Sequence, residues 1–195
     1  IARRLFVEES GQLALRHVEH AIAGRGDHTG YPLEHRFFLL RGQLRMGSCR
    51  DYDAGSIDLK AALRDFEAAA KLARKSGHKA RSDILCQAGW ASYCLGDITR
   101  SLGHLTNAIE LGRSNSLAYF YRAKCHLHQG KVDEAMEDLA EALRLDIALA
   151  TRTGAESDFV DVSERVTSVI GDLRDEVLAD VLSSSEFVND PDFQG

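Results

Sequence analysis

Apolar residues in this chain recur at steps of three and four through most of its length. Residues 82–95 carry one such stripe and residues 97–111 another, with Gly96-Asp97 between them. The same layout returns at 116–129 and 131–145, around Gly130-Lys131. This period predicts amphipathic helices, joined in pairs by short turns at which glycine supplies the backbone freedom. Setting 82–115 over 116–149 places Leu85 on Tyr119, Gly89 on Ala123, Gly96 on Gly130 and Ile98 on Val132. Leu105 then falls on Leu139, Ala108 on Ala142, Ile109 on Leu143 and Leu111 on Leu145. One fixed period therefore relates the two units from end to end. It means helical hairpins that share a core only with their neighbours. Small residues at Gly89 and Ala123 predict close approach within a pair, and Ala108 and Ala142 predict it between pairs.

Two earlier units are less regular. Over 35–76, Phe38, Arg41 and Gly42 look like a first helix. Ala62, Phe66, Ala69 and Leu72 look like its second, matching Ser101, Leu105, Ala108 and Leu111 at an offset of 39. The turn between them is overlong, with its excess in the turn-forming stretch 48–56. A partial unit spans 1–24, where Ala14, Val18 and Ala21 repeat the second-helix spacing. The chain is expected to start partway through a repeat, as an excised part of something larger. After residue 150 the pattern lapses, with a break expected at Thr151-Arg-Thr-Gly154. From Phe159 to Leu182, apolar residues again recur at three and four, which predicts a C-terminal amphipathic helix within 150–182, with an interruption at Gly171. A solenoid end needs a cap, and capping is the first expectation for this helix; self-association through it is the second. Residues 183–195 read as a flexible tail.

The unit running from Ala118 to Asp146 resembles the tetratricopeptide repeat. It has the Arg122-Ala123 pair, the Gly130 turn, Glu134-Ala135 and, later, Ala142-Leu143. The proline that usually closes the unit is missing in both regular repeats, with Ile147 or Ala148 near its place in the second. The resemblance covers about residues 1–149. It implies an all-α fold: a right-handed superhelix of antiparallel helix pairs with a C-terminal capping helix. It also implies a protein-binding scaffold or adaptor rather than an enzyme.

Composition adds limits. The 195 residues are 44% hydrophobic and 28% charged, which suits a globular protein. A net charge of −6 opposes phosphate binding, so RNA binding, known for related helical hairpins, is a disfavoured alternative. Arginines crowd the first 50 residues and the last 45 are acidic. Cys49, Cys86, Cys94 and Cys125 have no CxxC spacing and read as reduced thiols, which leads to a cytoplasmic expectation. No apolar run is long enough to span a membrane, and no membrane partner is expected.

Candidate binding residues follow from the helix faces. In 82–95, Leu85, Ala88, Gly89 and Ser92 should pack inside their own pair. The next stripe, Cys86, Gln87, Trp90, Tyr93 and Cys94, should face the concave side that first helices line. Its counterparts are Phe120, Tyr121, Lys124, Leu127 and His128. An aromatic groove suits the apolar anchors of a partner peptide or helix, with Lys124 and His128 orienting it. The competing expectation is that the C-terminal helix folds back into the groove, or that the aromatics are core.

Some tetratricopeptide domains clamp a chaperone's terminal carboxylate with lysine, asparagine and arginine. The matching positions here are Leu39 and Gln43, Asp83 and Gln87, Leu117 and Tyr121, so that activity is not expected. Cys125, His126 and His128 invite a metal, but neighbours on a helix point about 100° apart, so none is expected. The loop from Asp51 to Asp58 lacks the bidentate glutamate of a calcium site, and Asp58 is better read as a helix cap. Gly24-Arg-Gly26 reads as a linker, and no nucleophile, phosphate-loop or metalloprotease motif is present. No cofactor is expected. The second functional reading is a regulatory domain of a larger multidomain enzyme.

Overall fold

The computed structural model describes residues 13–24, 34–46, 58–75 and 77–184. The overlong turn at 48–56, the calcium-like loop, most of Gly24-Arg-Gly26, Cys49, residues 1–12 and the tail from 185 lie outside the described residues. Within them the chain is all helix: α1 (13–24), α2 (His35–Met46), α3 (Leu59–Leu72), α4 (His78–Cys94), α5 (Ile98–Leu111), α6 (Ser116–His128), α7 (Val132–Leu145), α8 (Leu149–Ala155) and α9 (Ser163–Ser184). Short 3₁₀ turns follow α3 (Ala73–Lys75) and α8 (Ser157–Val162). No strand occurs among the described residues.

The helices begin where side chains can satisfy their first amide groups. Asp58 accepts from the Ala61 amide at 2.9 Å, Asp97 from Arg100 at 3.0 Å and Asn115 from Ala118 at 3.2 Å. Gly96 and Gly130 turn the chain with φ of 76° and 72°, a left-handed conformation that costs a side-chain-bearing residue about 1 kcal/mol. Within hairpins, contact replaces a side chain. A Cβ on Gly89 would lie 2.5 Å from Leu105 Cγ, and one on Gly42 would lie 2.7 Å from Phe66 Cε1. Those two large residues are fully buried and fill the space each glycine leaves.

Two hairpins share a further tie. Arg41 Nη2 donates to Asp65 at 2.6 Å across α2/α3, and Arg122 Nη2 to Asp138 at 2.6 Å across α6/α7. The middle hairpin has Ala88 and His104 at these places. His104 turns outward to Glu67 of α3 (3.1 Å), as does Arg100 (2.6 Å), so this hairpin is bonded to its neighbour instead. Ser101 hydroxyl donates to the Gly89 carbonyl at 2.8 Å and touches Cys125 Sγ at 3.1 Å, joining α4, α5 and α6.

The C-terminal segment corrects the sequence reading. Residues 151–154 do not break the chain; they lie within α8. The break comes at Glu156, whose extended backbone (φ −92°, ψ 129°) ends that helix. Gly171 does not interrupt α9, which runs unbroken from Ser163 to Ser184. Arg165 bonds Asp133 at 2.7 Å and Arg144 meets Glu176 at 3.4 Å, with the same sequence separation in both pairs, so α9 runs parallel to α7. Likewise Tyr121 meets Arg152 and Lys124 meets Glu156 at nearly equal separations, so α8 lies parallel to α6. The second-helix place of one more repeat is thus filled by α9 on α7, while the first-helix place is held only by short α8 and the 3₁₀ turn after it. Val166 and Leu173 stand one repeat period after Val132 and Leu139, and both are buried. The repeat therefore continues on the second-helix side beyond residue 150.

Candidate peptide-binding groove

The first helices α2, α4 and α6 line an open groove of ≈ 1010 Å³. Gln43 and Met46 come from α2, Asp83, Cys86, Gln87 and Trp90 from α4, and Leu117 and Tyr121 from α6. Phe66 forms part of its floor, and Asn115 and Arg152 its edge. Trp90 is half-buried and stacks on Tyr121, with ring centroids 4.5 Å apart and planes within 19°. Leu117 is 38% exposed beside these rings. The side-chain amides of Gln43 and Gln87 make no hydrogen bond among the described residues. Asn115 is already engaged, with its amide on Ser82 Oγ at 3.0 Å and its oxygen capping α6.

The far half of the same face is closed. Lys124 is only 3% exposed. Its ammonium bonds Glu156, lies 2.8 Å from Asp158 and sits over the rings of Trp90 (4.8 Å) and Tyr93 (5.2 Å). Burial works against that charge, but hydrogen bonds to Asp158 and Glu156 outweigh it and raise the Lys124 pKa. Tyr93 donates to Asp158 at 3.0 Å; burial, and then the Asp158 charge, hold its phenol protonated well above the usual range. Phe159 is 2% exposed, its ring 5.6 Å from that of fully buried Phe120. Arg152 lies over Phe120 (5.0 Å) and Tyr121 (5.3 Å), donates to the Tyr121 hydroxyl at 3.2 Å and pairs with Glu156 at 3.0 Å.

The candidate residues thus separate. Cys86, Gln87, Trp90 and Tyr121 line the open groove, but Cys86 (4% exposed) and Tyr121 (9%) are core residues, so Trp90 and Gln87 are the accessible members of this set. Tyr93, Phe120 and Lys124 lie under the segment 152–159. Cys94 is half-buried and His128 is exposed, and neither is on the groove lining. His126 sits within its own hairpin, 3.6 Å from Asp138. Burial, reinforced by Asp83, pushes the Cys86 thiol up to about 12, which makes it a protonated packing group rather than a nucleophile. Among the described residues Cys86, Cys94 and Cys125 form no disulfide, and no three His, Cys, Asp or Glu converge on one point. No helix there is long and apolar enough to cross a membrane.

Sequence reasoning did not single out Arg152, Glu156 and Asp158, and it placed Phe159 at the start of the C-terminal helix, whereas the residue lies in the 3₁₀ turn before it. The available signal was an acidic pair followed by phenylalanine just where the repeat pattern lapses.

Comparison with known proteins agrees with this architecture. Residues 116–148 match the family model described as the tetratricopeptide repeat. A solved structure titled as the crystal structure of MamA superposes over 93% of this chain and 96% of that one, at TM-score 0.61 and 12% identity. A second, titled YrrB, a TPR protein with an unusual peptide-binding site, superposes over 88% and 84%, at TM-score 0.56 and 16% identity. A search of curated proteins finds no significant match. Residues 116–148 thus carry a tetratricopeptide repeat, and the stacked hairpins share the fold of these two solved structures.

Proposed function

We propose that this protein is a non-catalytic scaffold that holds an extended peptide or helix of a protein partner in the open half of its concave groove. One observation carries the reading: Trp90 stacked on Tyr121, beside exposed Leu117 and the amides of Gln43 and Gln87, along a groove of ≈ 1010 Å³. A flat aromatic pair with an aliphatic neighbour anchors apolar side chains, and amides beside it suit a peptide backbone. The wall is fixed by hairpin packing, so little ordering entropy is lost when a ligand lies down. The peptide-binding site named for YrrB, a protein of the same fold, supports the assignment.

The test separates binding from folding. Leu117→Glu and Gln87→Ala alter groove-facing side chains, and Glu137→Ala on the exposed side of α7 is the control. Captured partner should fall about ten-fold with the first and measurably with the second. Equal capture by all three, with unchanged melting, would reject the groove.

A further inference from the structure

Four residues that close the far half of the groove, Glu156-Ser157-Asp158-Phe159, act as a built-in ligand. Their two carboxylates bracket Lys124, Asp158 also accepts from Tyr93, and Phe159 fills the place beside Phe120. The pattern of an acidic residue, any residue, aspartate and phenylalanine occurs twice in the chain. The second instance, Asp190-Pro191-Asp192-Phe193, lies one repeat period further on. Its repeat-equivalent seat would be one hairpin later, but the position one period after Lys124 is Asp158, and that after Phe120 is Gly154. A carboxylate pair cannot settle on an aspartate. The pocket whose chemistry matches the second motif is the Lys124 pocket itself.

Reach decides which copy. The 22 residues of α9 lead away from that pocket along α7, about 33 Å at a helical rise of 1.5 Å per residue. Ser184 and Asp190 are six steps apart in sequence, a stretch that spans at most about 22 Å when fully extended. With α9 intact, the second motif cannot return to its own pocket.

We propose that the Lys124–Tyr93–Phe120 pocket is an exchangeable recognition site for this acidic-aromatic motif, and that Asp190–Phe193 of a second copy is its occupant in trans. The resident Glu156–Phe159 competes from within the same chain, at the high local concentration a short tether gives. Exchange is therefore weak in the unaltered protein and strengthens when the resident motif is weakened. The inference rests on reading the concave face as a peptide-holding surface.

The test uses the full chain and a synthetic peptide of residues 185–195. Emission of Trp90, the one tryptophan, is the readout, because the Lys124 ammonium lies over its ring. Asp158→Asn should tighten peptide binding about ten-fold over the unaltered chain. Adding Lys124→Met, or changing Asp192→Asn and Phe193→Ala in the peptide, should abolish it. No binding to the Asp158→Asn chain, or equal binding after Lys124→Met, overturns the proposal. A second measurement leaves the core untouched: light scattering of the full chain should show concentration-dependent association that Phe193→Ala removes. Association unchanged by Phe193→Ala, or a monomer at every concentration, also overturns it. A foreign peptide that is lost on Leu117→Glu but does not compete with the 185–195 peptide would leave the groove reading intact.

Discussion

The two halves of the concave face draw on the same helices, α4 and α6, and the repeat-equivalent residues Trp90 and Lys124 fall on opposite sides of the divide, open and covered. In the open half, Trp90, Tyr121 and Leu117 form an aromatic wall with the Gln43 and Gln87 amides beside it. In the covered half, Tyr93, Phe120 and Lys124 have their needs met by Glu156, Asp158 and Phe159. The difference lies in the next hairpin. Where a full first helix stacks, as α6 on α4, the groove stays open. Where the first helix stops at Ala155, the chain that follows drops onto the wall and completes it. A truncated repeat thus leaves one stretch of the wall open and lets the chain itself cover the next.

The comparison breaks most sharply at Phe159. Phe159→Ala should cost about 3 kcal/mol, the usual result of emptying a buried aromatic site. It should also raise amide hydrogen exchange over 149–162 while α4 and α5 keep their protection. Uniform loss across the chain would mean that the covering segment is not a separable element. Next in size is Gly89→Val, with its Cβ against Leu105, which should cost about 2 kcal/mol by overpacking. It strikes the hairpin under both halves, so peptide capture and thermal stability should fall together. Lys124→Met should cost about 1 kcal/mol, because Glu156 and Asp158 are partly exposed and regain water. A larger loss than with Phe159→Ala would reverse the ranking of charge and packing in the covered half.

The smallest effect is a pH dependence that arises outside both halves, in the hairpin packing beneath them. Burial lowers the pKa of His104 below its ordinary 6.5, against the opposing pull of Glu67 and Asp97 and with Arg100 adding to it. Burial likewise lowers His126, against Asp138 and Glu134 and with Arg122 and Lys131 adding to it. The unfolded chain then binds more protons than the folded one just below pH 6.5. Stability is full above that value and declines as pH falls through it toward the lowered pKa values. His104→Asn should flatten the slope of melting temperature between about pH 7 and pH 5. An unchanged slope would remove His104 from the account.

Much of this was legible in the sequence, for a physical reason. Helical period and small residues report which face a helix turns to its own partner. Gly89, Ala123, Leu105 and Leu139 therefore located the hairpins, and Asp58 its cap. The same period shows that Lys124 and Phe120 face away from their hairpin, but not what later covers them. That depends on a segment in the next repeat along the chain, held by ion pairs and a ring contact that leave no apolar stripe in the sequence. The register of Val166 and Leu173 with Val132 and Leu139 was visible in the second helix. It was obscured because the accompanying first helix had lost its pattern.

The open half is tested most directly by selecting peptides from a displayed random library on the unaltered chain and mapping them by amide hydrogen exchange. Selected peptides should slow exchange in α2, α4 and α6, leave α3, α5 and α7 unchanged, and lose about ten-fold in affinity on Leu117→Glu. Peptides that protect α3, α5 and α7 instead, or that bind Leu117→Glu as tightly as the unaltered chain, would contradict the account.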